Sequence, residues 1–211
     1  MKEAFNINFT VKNSGWNKVV FTLVLLIISI CSCTNKIALK PVTIQEFASF
    51  VDETGYITDA EKYGWSVVQT SVFGYKVVEG ANWRMPDGRH PASPELPVTQ
   101  VSYNDAMAYC EWAGVRLPTY EEYWAAVQED ERTIVSNQVR PISPVDEVNI
   151  VGNVWDITKT IKKEQVRLAG GSIFCSENTC HGTQPEREFF VDRETGNIHI
   201  GFSVFATRAL P

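Results

Sequence analysis

The sequence predicts an α+β domain with little regular secondary structure. Three observations carry that expectation: helix signals gather in the first half, short strand-like runs follow Asn149, and residues 65–100 are aromatic and rich in Pro and Gly. Hydrophobic residues make up 44% and charged residues 21%, an ordinary globular balance that excludes a disordered chain. The 211 residues give room for one well-buried domain. Six Trp, seven Tyr and eleven Phe suit an irregular aromatic core better than a helical bundle. The net charge is -6 and Lys and Arg form no cluster, so no nucleic-acid partner is expected.

The helices are expected where a capping residue meets an apolar stripe. Thr43 and Glu46 have capping-box spacing, Ile44, Phe47 and Val51 recur at helical spacing, and Gly55 closes the segment. A short second helix is expected from Thr58 to Gly64. From Trp65 to Gln100 only V-F-G-Y-K-V-V reads as a strand. Ser102 to Gly114 is the best helix, capped by Ser102, with Ala106, Tyr109, Cys110 and Ala113 as its stripe and Gly114 placed to end it. Pro118 and Thr119 open another helix that runs to about Gln128. Residues 129–148 read as loop. Beyond them W-D-I-T, Q-V-R-L, G-G-S-I-F and I-G-F-S-V-F-A read as short strands.

Residues 1–33 are expected to be a lipoprotein signal peptide and lipobox. Lys18 precedes a twelve-residue apolar run, Val19 to Ile30, which suits a signal core and is shorter than the ~20 residues a spanning helix needs. Ile30-Cys31-Ser32-Cys33 then resembles a lipobox, which makes Cys33 the lipidation candidate and Cys31 the second choice. An uncleaved hydrophobic anchor is the other reading. Cleavage would remove three of the 19 basic residues and one of the 25 acidic ones, so lipid and not charge would hold the chain at a membrane. The expected location is exported: a bacterial membrane lipoprotein, periplasmic or surface-facing. Residues 34–40 read as a tether and 41–211 as the domain. Outside the export signal three Cys are left, Cys110, Cys175 and Cys180, and an odd number leaves at least one unpaired.

Five blocks in order resemble the formylglycine-generating enzyme (sulfatase-modifying factor) family. They are Thr54-Gly55-Tyr56 with Thr58-Asp59-Ala60-Glu61-Lys62 and Trp65-Ser66-Val67-Val68; G-A-N-W-R-M-P-D-G at 80–88; P-V-T-Q-V-S-Y-N-D-A-M-A-Y-C-E-W-A-G-V-R-L-P-T at 97–119; N-I-V-G-N-V-W-D at 149–156; and G-G-S at 170–172. The chain is similar to a shortened member of that family. The resemblance implies the irregular α+β fold related to C-type lectins, and it does not by itself imply activity.

Cys175 and Cys180, three residues beyond Gly170-Gly171-Ser172 and spaced C-S-E-N-T-C, match the family's paired catalytic cysteines, with Ser172 as a hydrogen-bonding partner in the pocket. Two convergent thiolates make a soft site that selects Cu(I). A substrate thiolate could join them; O2 would then take a hydrogen from the substrate cysteine Cβ, and the thioaldehyde would hydrolyse to the aldehyde. Three plainer readings stay open: a structural disulfide between the two, a zinc site that adds His181, and inert buried thiols. By the same resemblance Asn149, Gly152, Val154 and Asp156 match a calcium site, with Asp156 one methylene shorter than the family's usual Glu; a tight turn held by Asn149 without an ion is the alternative. Cys110 lies on an apolar stripe and reads as a buried inert thiol, since Gly201-Phe202-Ser203-Val204 offers none of the partner cysteine some relatives have. His90, His181 and His199 are scattered and receive no catalytic role.

The resemblance also marks departures: a missing first strand region, only 35 residues between Arg116 and Gly152, and H-G-T-Q-P-E-R-E after Cys180, with Arg187 the one stand-in for an active-site Arg. Two functions follow. One is a copper- and O2-dependent oxidase that converts a peptidyl cysteine, as in an unfolded sulfatase, to Cα-formylglycine. The other is a non-catalytic lipoprotein that uses the fold for binding or assembly.

Overall fold

Thr43, Thr58, Ser102 and Thr119 each begin a helix with the same device. Each hydroxyl accepts the N–H of the residue three positions on, and each backbone N–H is taken by that residue's carboxylate, Glu46, Glu61, Asp105 and Glu122 in turn. The computed structural model describes residues 39–127, 139, 150–175 and 182–206, and the four helices within them are α1 (Ile44–Thr54), α2 (Asp59–Tyr63), α3 (Tyr103–Ala113) and α4 (Tyr120–Ala126). Gly55, Gly64 and Gly114 end the first three in left-handed backbone. The helix from Thr119 stops at Ala126, short of the expected Gln128. On α3 the buried stripe is Tyr103, Ala106, Tyr109 and Cys110; Ala113, expected on it, is exposed.

Among the described residues nine strands form three small sheets. β1 (Leu39–Pro41) and β4 (Val115–Arg116) flank β9 (Ser203–Ala206), both antiparallel to it. Leu39 and Lys40, expected in a tether, are therefore strand residues, with Leu39 opposite Phe205. β2 (Trp65–Gln69) and β3 (Tyr75–Glu79) form a hairpin, so the expected run from Val72 splits into a turn and a strand, and Trp65–Gln69 is a strand the sequence reading lacks. The third sheet has the order β7 (Phe189–Val191), β6 (Gln165–Ala169), β5 (Trp155–Lys162), β8 (Ile200–Gly201), with β8 parallel to β5. G-G-S-I-F, expected as a strand, is a turn instead.

The main core packs α1 and α3 against the strands. Phe47 sits at its centre, with ring centroids at 5.3 Å from Phe50, 5.2 Å from Trp83, 5.9 Å from Tyr109 and 6.3 Å from Phe202. A second cluster joins Leu39, Tyr120, Tyr123, Trp124, Val151, Ala169 and Phe205. Two buried polar knots tie the segments together. Asp59 accepts from the Ser102 hydroxyl (2.7 Å) and Asn104 (3.0 Å), while Asp105 accepts the Asp59 N–H (3.1 Å), which fixes α2 to the start of α3. Gln100, fully buried with φ 60, accepts from Ser66 Oγ (2.6 Å), donates to the Val67 and Pro86 carbonyls, and gives its N–H to Asn197 O (3.0 Å). That last bond ties Gln100 to the loop that carries His199, and the Gln69 N–H, donated to Asn197 Oδ1 (3.1 Å), anchors the hairpin to the same loop.

Candidate active site

β6 runs into Gly170 and Gly171, both with positive φ (89° and 72°). The pair is required twice over. A Cβ at Gly170 would lie 2.1 Å from the Tyr123 hydroxyl, and one at Gly171 would lie 2.9 Å from the Gly182 backbone, besides the left-handed conformation that side chains resist. The chain then closes a tight turn. Cys175 N–H donates to Ser172 O (2.8 Å), Phe174 N–H donates to Ser172 Oγ (3.3 Å), and Ser172 N–H points at Cys175 Sγ (3.5 Å). Ile173 N–H is held by Asn153 O (3.2 Å), just ahead of β5.

The structure thus brings Ser172 and Cys175 together. Cys180, Asn149, His181, Cys31 and Cys33 lie outside the described residues. Cys175 is 5% exposed and disulfide-bonded, with its partner also outside the described residues. Gly182 packs against both its sulfur and the Trp155 ring, since a Cβ there would meet Cys175 Sγ at 3.0 Å and the ring at 2.4 Å, and that ring packs on Phe189 (4.7 Å). Arg187 stays on the surface, its guanidinium 5.3 Å from the Phe189 ring. Cys110 is a free, buried thiol, pushed up to about 12 by burial, and so inert at neutral pH.

His199 is the residue the sequence reading passed over. Its Nδ1 is 2.7 Å from Ser172 Oγ, its carbonyl accepts the Trp155 N–H (2.9 Å), and its ring meets Phe174 edge-on at 5.2 Å. Burial pushes its pKa down to about 4, so the imidazole is neutral at pH 7. No spacing signal could reveal it, because the contact crosses 27 residues between separate segments.

Asp156 is 4% exposed on β5, between Ala169 of β6 and Gly201 of β8. Burial pushes its carboxyl up to about 7, against the pull of Ser203 and Tyr123. Gly152, with φ 85, donates its N–H to Gly170 O (2.8 Å), and Val154 is buried beside it in sequence. A buried carboxyl faced by neutral oxygens suits a hard cation such as Ca²⁺. Among the described residues no three His, Cys, Asp or Glu side chains gather as a metal site.

The chain belongs to the family of sulfatase-modifying factor enzyme 1-like domains: that family's model matches residues 35–141, just over half of the sequence and ending ahead of the Ser172–Cys175 turn. It is 31% identical over 209 residues to the formylglycine-generating enzyme of Bos taurus, an alignment that covers 64% of this chain and 56% of that protein. It is also 42% identical over 104 residues to inactive C-alpha-formylglycine-generating enzyme 2 of Bos taurus, covering 39% and 34%. The chain therefore spans little more than half of the first relative's length and about a third of the second's. The structure of PvdO from Pseudomonas aeruginosa superposes with a TM-score of 0.53 at 16% identity, over 78% of this chain and 77% of that one, a likeness of fold alone. The fold is accordingly that of the formylglycine-generating enzymes, with mixed helices and sheets of modest regularity.

Proposed function

We propose that this chain is a copper- and O2-dependent oxidase that converts a peptidyl cysteine of a sulfatase-type substrate to Cα-formylglycine, with Cys175 and Cys180 as the sulfur ligands. The observation that carries the reading is the turn that sets Cys175 Sγ against the Ser172 N–H, with Gly182 packed against both that sulfur and the Trp155 ring. A soft sulfur donor with an amide N–H aimed at it and an aromatic wall suits Cu(I) better than harder ions. Copper, when bound, supplies the activation of O2, a redox step no side chain performs. The chain's own residues do the rest. The Ser172 N–H steadies charge on the sulfur, and Trp155 with Phe189 keeps water from it. The disulfide at Cys175 must be reduced before its sulfur can bind metal.

Anaerobic titration of the reduced chain with Cu(I), followed by sulfur-to-copper absorbance, is expected to show tight one-to-one binding that Cys175→Ala and Cys180→Ala each abolish. Absent binding, or binding unchanged in both variants, overturns the reading. The second function, a non-catalytic lipoprotein that uses the fold for binding or assembly, is favoured by the buried, oxidised state of Cys175 and by the likeness to an inactive relative. That function predicts the negative result.

The proposal includes Ca²⁺ held by Asn149, Gly152, Val154 and Asp156, supported by the oxygen-donor chemistry of the buried Asp156 carboxyl. Ca²⁺ at a hundred times its Kd would add about 2.7 kcal/mol of stability. Chelation should lower the melting temperature of the native chain, and Asp156→Ala should remove that response; equal responses in both proteins would exclude the site. The proposal also places the enzyme outside the cytoplasm, attached through acylated Cys33. Mass spectrometry of the mature amino terminus checks this, and an unmodified Cys33 would count against it.

A further inference from the structure

Ser172 is fully buried, and its hydroxyl has two neighbours. Its oxygen accepts the Phe174 N–H, which leaves its own proton to be placed, and His199 Nδ1 lies 2.7 Å away. The imidazole is itself fixed, through its backbone carbonyl on Trp155 N–H and its edge contact with Phe174. Ser172 is therefore held at its side chain by one segment while its backbone N–H points at Cys175 Sγ from another direction.

We propose that Ser172 and His199 form a positioning couple for the Cys175 sulfur: the Ser172 hydroxyl, donating to His199 Nδ1, locks the 172–175 turn with the Ser172 N–H on Cys175 Sγ, and this eases reductive opening of the disulfide in which that sulfur rests. The physical reason is the charge that appears. As the S–S bond opens, the departing sulfur becomes anionic, and a hydrogen-bond donor stabilises an anionic sulfur more than a neutral one. If the turn loosens, the donor is lost and the oxidised form gains. The inference deepens the oxidase reading, since reduction is what would ready the sulfur for copper, but reducibility itself involves no copper, O2 or substrate.

The test is the thiol–disulfide equilibrium of the purified chain in glutathione buffers. Two glutathione thiols are oxidised to glutathione disulfide while the Cys175 disulfide takes up two electrons and one proton, its partner sulfur ending as the thiol and the Cys175 sulfur as the anion that the Ser172 N–H holds, so that one proton is released. Ser172→Ala and His199→Leu are each expected to shift the equilibrium constant about tenfold toward the disulfide, equivalent to about 30 mV. His199→Asn, whose Oδ1 can accept the Ser172 proton, is expected to stay within about threefold of the parent chain, a rescue that a purely space-filling role would not give. The proposal falls if Ser172→Ala and His199→Leu stay within about twofold of the parent, or if His199→Asn shifts as far as His199→Leu. A second readout needs no variant. The imidazole ¹⁵N spectrum of the native chain should show Nδ1 unprotonated at pH 7, and a protonated Nδ1 would overturn the assigned direction of the bond. Loss of Cu(I) binding with these redox shifts intact would sink the oxidase reading alone.

Discussion

Phe47→Ala is expected to destabilise the domain by about 3–5 kcal/mol, a loss that urea unfolding at fixed pH would measure. The ring is completely buried and is the common neighbour of Phe50, Trp83, Tyr109 and Phe202. Those partners come from α1, the loop after the hairpin, α3 and the residue between β8 and β9, so they cannot collapse together to fill the space. The cost is the lost transfer energy of the ring plus the cavity it leaves. A chain of this size should lose about 10 °C of melting temperature. Phe73, 83% exposed at the hairpin turn, gives the control, because Phe73→Ala should change stability by no more than about 0.5 kcal/mol. Equal effects of the two substitutions would mean that Phe47 is not the centre of the core.

Gly182→Ala is the second large effect, and it works by intrusion. The added methyl would lie 2.4 Å from the Trp155 ring and 3.0 Å from Cys175 Sγ. Trp155 cannot simply swing away, since Phe189 packs at 4.7 Å on its ring and its backbone is tied to His199. Overpacking of this kind costs about 1–3 kcal/mol. The diagnostic consequence is local. Cys175, only 5% exposed in the parent chain, should be pushed toward solvent, so dithiothreitol should reach its disulfide faster, a change of access and not of the Ser172 N–H donor, and Trp155 fluorescence should shift. A variant with unchanged reduction rate and unchanged fluorescence would show that the segment at Gly182 does not press on the site.

What the sequence made legible was mostly local. The four helix starts were readable because each capping box is written in two residues three apart, and three of the stops because a glycine stands at the place where the helix turns left-handed. β2 escaped because its alternation is inverted. Ser66 and Val68 point inward and Trp65 is half-exposed, since Ser66 spends its hydroxyl on Gln100 inside the molecule. Hydropathy cannot show a polar side chain whose partner lies 34 residues away. G-G-S-I-F misled in the opposite sense: its composition suits a strand, while its two glycines adopt backbone no strand uses. At the candidate site Cys175 and Ser172 came from a motif, and His199 from a contact that only folding creates.

The placement of β9 has a consequence for how the molecule is made. This strand is central in its sheet, and its neighbours are β1, ahead of α1, and β4, between α3 and α4. Residue 39 finds its partner only when residue 205 exists, so the pairing spans most of the domain. A nascent chain still on the ribosome can form α1 to α4 from local signals, but it holds β1 and β4 as open edges until the last strand has emerged. Closure must therefore wait for residue 205, and it must bridge a long loop, which makes it slow. For that interval the two bare edges are the places where one unfinished chain could pair with another.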